Sequence, residues 1–181
     1  VTKTAAGMAT VTWVLMSWAH TGKPSIVGAA TGAVAGLVAI TPASGWVGPM
    51  AAIIIGIAAG TVCYGCVAFK NARKWDDALD VWGVHGMGGL TGAILTGTLA
   101  SPHIWDTGDG IGAWTGTPEG YEQQAISIVA AGMSIAYAFG VSIVIFKVMD
   151  AVWPGGIRVT PKEEEIGLDL SQNGERAYVN E

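Results

Sequence analysis

Charge is scarce in this sequence. Only 13% of its residues are Asp, Glu, Lys or Arg, against roughly 25% in soluble domains. Nine basic residues stand scattered against fourteen acidic ones, for a net charge of -5, so there is no basic stripe of the kind that binds nucleic acid. The two cysteines, Cys63 and Cys66, lie in one apolar stretch. They make no disulfide framework. Without a neighbouring His or third Cys they make no metal or redox motif either, and they read as small buried residues. The chain also lacks a nucleotide-binding loop, a nucleophile triad and an intramembrane carboxylate pair. No catalytic residue, metal or cofactor is expected, and no enzyme activity. Val1 is not an initiator Met and no basic leader precedes the first apolar stretch, which leads us to expect a fragment, a processed product or one half of a split protein.

What the chain does have is apolar length. Hydrophobic residues make up 51% of it, with 27 glycines and a mean hydropathy of +0.46. Five apolar segments stand out, at about 5–19, 25–40, 50–69, 81–100 and 125–153. A helix rises about 1.5 Å per residue, so ~20 residues cross the ~30 Å hydrocarbon core. The expected fold is all-α: a polytopic membrane bundle of five transmembrane helices over 1–157, followed by a polar tail over 158–181. The buried core of a soluble helical protein would show polar outer faces, and these segments have almost none.

The connectors orient the bundle. Lys23 lies in the first, Lys70, Arg73 and Lys74 in the third, and Arg158, Lys162 and Arg176 in the tail, with Lys147 at a helix end. The fourth connector carries Asp106, Asp109, Glu119 and Glu122 and no Lys or Arg. The positive-inside rule then puts the first and third connectors and the C-terminus in the cytoplasm, and the N-terminus outside. Pro24 and Ser25 open the second segment and Pro49 the third. Asp76, Asp77 and Asp80 precede the fourth, where carboxylates cap free N–H groups and complement the helix dipole. Pro154, Gly155 and Gly156 stop the fifth. Tryptophans 13, 18, 46, 105, 114 and 153 sit mostly near helix ends, as in an interfacial belt. Small residues recur four apart: Gly28, Gly32 and Gly36; Gly56 and Gly60; Gly88, Gly92 and Thr96; Gly89, Ala93 and Gly97. Each ridge permits close helix contact.

His85 is the most informative residue. An ionisable side chain about one turn into a membrane helix usually faces a polar interior or a pathway. Val81, His85 and either Gly88 or Gly89 share one face by helical spacing, and imidazole can both donate and accept hydrogen bonds. A core histidine held by one interhelical hydrogen bond satisfies the same spacing. His20 and His103 read as solvated interface residues, and Trp82 as a neighbour that packs beside the His85 face.

Three runs together resemble the ammonium transporter family (Amt/Mep/Rh). Residues 76–86, Asp76-Asp77-Ala78-Leu79-Asp80-Val81-Trp82-Gly83-Val84-His85-Gly86, are similar to the approach to that family's tenth helix. Gly22-Lys23-Pro24-Ser25 with 32–38 and Thr41-Pro42-Ala43-Ser44-Gly45 is similar to its seventh-to-eighth helix region. Residues 165–175, with Ala177 and Tyr178, are similar to its cytoplasmic tail, in the Amt branch. The resemblance implies an eleven-helix fold of which this chain supplies helices seven to eleven, a homotrimer in the cell membrane, and a pore for ammonium or ammonia lined by a pair of histidines. His85 matches the second of the pair and Val81 a hydrophobic wall position. Asp80 and Asp77 match structural positions at the start of the pore helix, and Gly167, Asp169 and Ser171 fall in a regulatory tail. A PII-type protein is a possible regulatory partner by the same resemblance. The partner histidine would come from the missing N-terminal helices. A sensor of ammonium and a non-conducting fragment are the alternatives.

Overall fold

The computed structural model describes residues 1–104 and 111–175, as helices joined by turns, with no strand among the described residues. In order these are α1 (Thr2–Thr21), α2 (Ile26–Ile40), α3 (Pro49–Ala72), a π-helical turn (Trp82–Gly86) running into α4 (Met87–Leu99), a 3-10 turn (Ala113–Thr115), α5 (Pro118–Val152), α6 (Pro161–Ile166) and α7 (Leu168–Ser171). The all-α expectation holds. Helices α3 and α5 are each long and apolar enough to cross a membrane, and α2 is a shorter apolar helix.

Local chemistry sets the boundaries. Ser25 has an extended backbone, and its hydroxyl oxygen accepts the Gly28 N–H at 3.0 Å, starting α2. Pro49 occupies the first turn of α3, where a missing N–H costs nothing. Helix α5 begins at Pro118, well before the 125 expected from hydropathy. Thr117 explains this, because its hydroxyl oxygen accepts the Gly120 N–H at 3.2 Å. Such a cap forms in polar sequence that a hydropathy reading passes over. The fourth apolar segment is one expected helix but two kinds of turn, π first and then α.

The chain divides into two units, Val1–Met133 and Ser134–Glu181. In the first, α1 lies against the glycine ridges of α2 and α3. A Cβ on Gly36 would stand 2.6 Å from the Ala5 carbonyl oxygen, and one on Gly56 2.5 Å from the same atom. Two helices thus approach one alanine turn of α1 at backbone distance. The fully buried residues Ala5, Ala9, Ala39, Ile40, Ala52, Ile55 and Ala59 form this centre. Lipid is about as apolar as these side chains, so close packing and dispersion, more than water exclusion, favour the association. A second cluster, Trp13, Ala35, Cys63, Val67 and Val84, carries the packing to the π-turn.

In the second unit, the later part of α5 presents exposed apolar side chains such as Ile135, Phe139 and Phe146. The whole helix is 35 residues, or roughly 50 Å, more than the ~30 Å of hydrocarbon. It ends before Gly155 and Gly156, both with positive φ. Helix α6 opens on a reciprocal capping box. Thr160 Oγ accepts the Glu163 N–H, and the Glu163 carboxylate accepts the Thr160 N–H at 2.9 Å. The Thr160 hydroxyl, its N–H and the Gln172 amide hold the Glu163 carboxyl below its ordinary range.

Candidate functional site

The run Trp82-Gly83-Val84-His85-Gly86 holds two glycines and a β-branched residue, a poor sequence for a regular α-turn. It forms a π-turn, with the Met87 N–H reaching back to the Trp82 carbonyl. π-Bulges insert one residue into the helical ladder and frequently mark functional sites. Here the inserted turn sorts its side chains to opposite sides. Gly83 and Val84 are buried, and a Cβ on Gly83 would lie 2.7 Å from Val67 Cγ2. The Cys63 thiol donates to the Val84 carbonyl oxygen at 3.8 Å. His85 points the other way and is exposed, beside Val81, which is 49% exposed. Of the two glycines that spacing allows on this face, the structure selects Gly89. Gly89 has open space before it, whereas Gly88 packs on Cys63.

The acidic cluster before the π-turn divides its work. The Asp77 carboxylate accepts the Val81 and Trp82 N–H groups, each at 2.9 Å. The Trp82 N–H, then that of Val81, and the Lys70 charge hold the Asp77 carboxyl below its ordinary value of 3.8. Among the described residues Asp80 caps no N–H group through its side chain. It has a left-handed backbone, φ 56°, and its Oδ1 pairs with Lys70 Nζ at 2.6 Å. Trp82 packs with other aromatic side chains. Its ring lies edge-on to Trp75, centroids 5.1 Å apart, and near Phe69.

His20, expected as a solvated residue, is exposed but engaged, with Nδ1 2.8 Å from the Tyr64 hydroxyl. Both border a cavity of about 400 Å³ lined also by Ser17, Asn71 and Asp80. His103 is exposed. Spacing gave no sign of Lys70 or Tyr64 as site residues, because nothing in a helical pattern says which distant acid or imidazole will meet them. In the tail, Gly167 joins α6 to α7 with φ 101°, and Asp169 lies in the first turn of α7. The half-buried Ser171 hydroxyl lies 2.8 Å from the Gly167 carbonyl oxygen and 3.2 Å from that of Glu163. Residues Trp105, Asp106, Asp109, Arg176, Ala177 and Tyr178 lie outside the described residues.

An imidazole on an open helix face, carried by a π-turn and entered through a capped acidic cluster, sits in a sequence that matches one family model along nearly all its length. The Ammonium Transporter Family matches residues 1–178. The chain belongs to this family. It is 42% identical over 180 residues to the ammonium transporter Amt1 of Archaeoglobus fulgidus, a match that takes in 99% of this chain and 44% of that protein. The crystal structure of Candida albicans Mep2 superposes with a TM-score of 0.80 at 36% identity, over 94% of this chain and 38% of Mep2. A structure titled Sensor Amt Protein superposes with a TM-score of 0.75 at 28% identity, over 94% of this chain and 40% of the other. The chain therefore spans less than half the length of the relatives it matches.

Proposed function

We propose that this chain supplies the C-terminal part, helices seven to eleven, of an ammonium transporter, and that His85 lines its conducting path. The observation that carries the reading is the exposed His85 ring on the π-turn, on the side of Val81 and Gly89 and away from the buried Gly83 and Val84. Among the described residues the imidazole has no hydrogen-bond partner, so the interhelical bond of a core histidine is not made within them. The first six helices would close the opposite wall and bring the second histidine. Ammonium would be recognised on the outer side and give up its proton. Ammonia would then cross between apolar walls while the histidine pair carries the proton. Stripping water from an ion in such a passage is costly. Potassium has no proton to release and would be excluded. The assembly in this reading is a homotrimer, with the N-terminus of this chain outside, its tail in the cytoplasm, and a PII-type regulator as a partner of that tail.

The test is His85→Ala in the complete protein. Proton-coupled ammonium uptake is expected to fall about a hundredfold, the low end for losing one positioned proton-transfer group, and discrimination against potassium is expected to weaken. Full electrogenic uptake with unchanged selectivity would refute the relay.

The likeness to a sensor supports one second reading. The same bundle would then report ammonium through its tail, and tail-dependent signalling without measurable flux would select it.

A further inference from the structure

Among the described residues, Lys70 is the one charged side chain that is buried, at 4% exposure. It lies in the last turn of α3, where an exposed lysine would already complement the helix dipole. Burial adds a cost that only specific partners offset. The partners are the Asp80 carboxylate, 2.6 Å from Nζ, and the Asp77 carbonyl oxygen, which accepts from Nζ at 2.5 Å. Both belong to the short stretch that leads into the π-turn.

From there the contacts run to His85 without a gap. The Asp77 carboxylate holds the Val81 and Trp82 N–H groups. The Trp82 carbonyl accepts the Met87 N–H and so brackets the turn that contains His85. The Asp80 carbonyl accepts the Val84 N–H at 2.9 Å, one residue before His85. Asp80 makes that bond from a left-handed backbone, φ 56°, a region that Asp enters more readily than most non-glycine residues. The Lys70 ion pair holds the side chain of this same residue. The entry to the π-turn is thus tied to the end of α3 through one ammonium group, and the rotation of the turn about its axis decides where the imidazole points.

We propose that Lys70 is a positioning residue for His85. Its ammonium, latched to Asp80 and Asp77, sets the orientation of the π-turn and hence of the imidazole. This rests on the reading of His85 as part of the conducting path.

The test uses the complete transporter and the variants Lys70→Met, Lys70→Arg and the pair Lys70→Met with Asp80→Asn. Lys70→Met alone leaves Asp80 without its partner charge, and its yield of folded protein is expected to drop. The double variant removes both charges and is expected to regain that yield. Its maximal ammonium uptake is nonetheless expected to fall about tenfold or more, since a misplacement of an ångström at a reacting group costs up to 10²-fold, with KM near the parental value. The ring-nitrogen NMR resonances of labelled His85 are expected to shift with it. Lys70→Arg, which keeps a charge for both acceptors, is expected to restore much of the uptake and the resonances. A folded double variant with parental uptake and parental His85 resonances overturns the proposal and leaves Lys70 a packing residue. Shifted resonances in a protein whose parent carries no ammonium flux uphold the latch and overturn the relay instead.

Discussion

Asp77 shows how much one side chain can do when it has the right neighbours. Its two carboxylate oxygens satisfy two N–H groups that would otherwise be bare at the start of the π-turn. Replacing such a cap with alanine costs about 1 kcal/mol. Its depressed pKa gives a sign to the pH dependence. The unfolded chain takes up a proton at a higher pH than the folded one, so the cap's contribution is complete above the ordinary value of 3.8 and is lost as pH falls below it. The wild-type protein should lose thermal stability on acidification through this range. Asp77→Asn should start lower at neutral pH and lose less on acidification, as read by melting temperature against pH. Equal slopes for the two proteins would contradict the assignment. Asp80, three residues on, looks alike in sequence and does something else, because its left-handed backbone turns its carboxylate toward Lys70.

At the scale of elements, the glycine ridges decide how closely helices meet. The tightest case is Gly92, where an added Cβ would collide with the Ala39 carbonyl group and Cα of α2. Backbone cannot swing aside as a side chain can. Gly92→Ala should therefore push α4 away from α2 and cost about 1–3 kcal/mol, the usual range for overpacking. Gly89→Ala, with nothing within 4 Å of its Cβ position, should cost far less. Comparing the melting temperatures of the two variants in detergent checks this, and similar values would remove the ridge argument. The ridges at Gly32, Gly36, Gly56 and Gly60 make the same kind of contact with α1. That is why an alanine-rich helix of modest hydropathy sits at the centre of the first unit.

At the scale of the whole molecule, the open His85 face matters most. In a chain that spans 44% of a relative's length, the His85 side chain is exposed and makes no hydrogen bond among the described residues. Reconstituted alone into vesicles, it should pass ammonium no faster than protein-free vesicles do. The complete protein at equal density should give flux that a pH-sensitive dye in the lumen can follow. Flux from this chain by itself would show that the first six helices are dispensable and that the pore lies elsewhere.

Much of this was legible in the residues alone. Scarce charge and long apolar runs determine a membrane bundle, since unpaired polar groups cannot be satisfied in lipid. Four-residue glycine spacing picks out Gly32, Gly36, Gly56, Gly60 and Gly92 as close contacts between helices, and a histidine inside an apolar helix singles out the position for which a pathway role is proposed. Three matters waited for the tertiary structure. Spacing could not choose between Gly88 and Gly89, because a π-turn changes the register that the spacing assumes. It could not tell the capping aspartate from the paired one, because that depends on a backbone angle. Nor could it find Lys70, because a partner ten residues away reaches it only when the chain turns back at the end of α3. Periodicity fixes the face a residue occupies on its own helix, and contacts between helices and turns are decided only by how the chain folds back on itself.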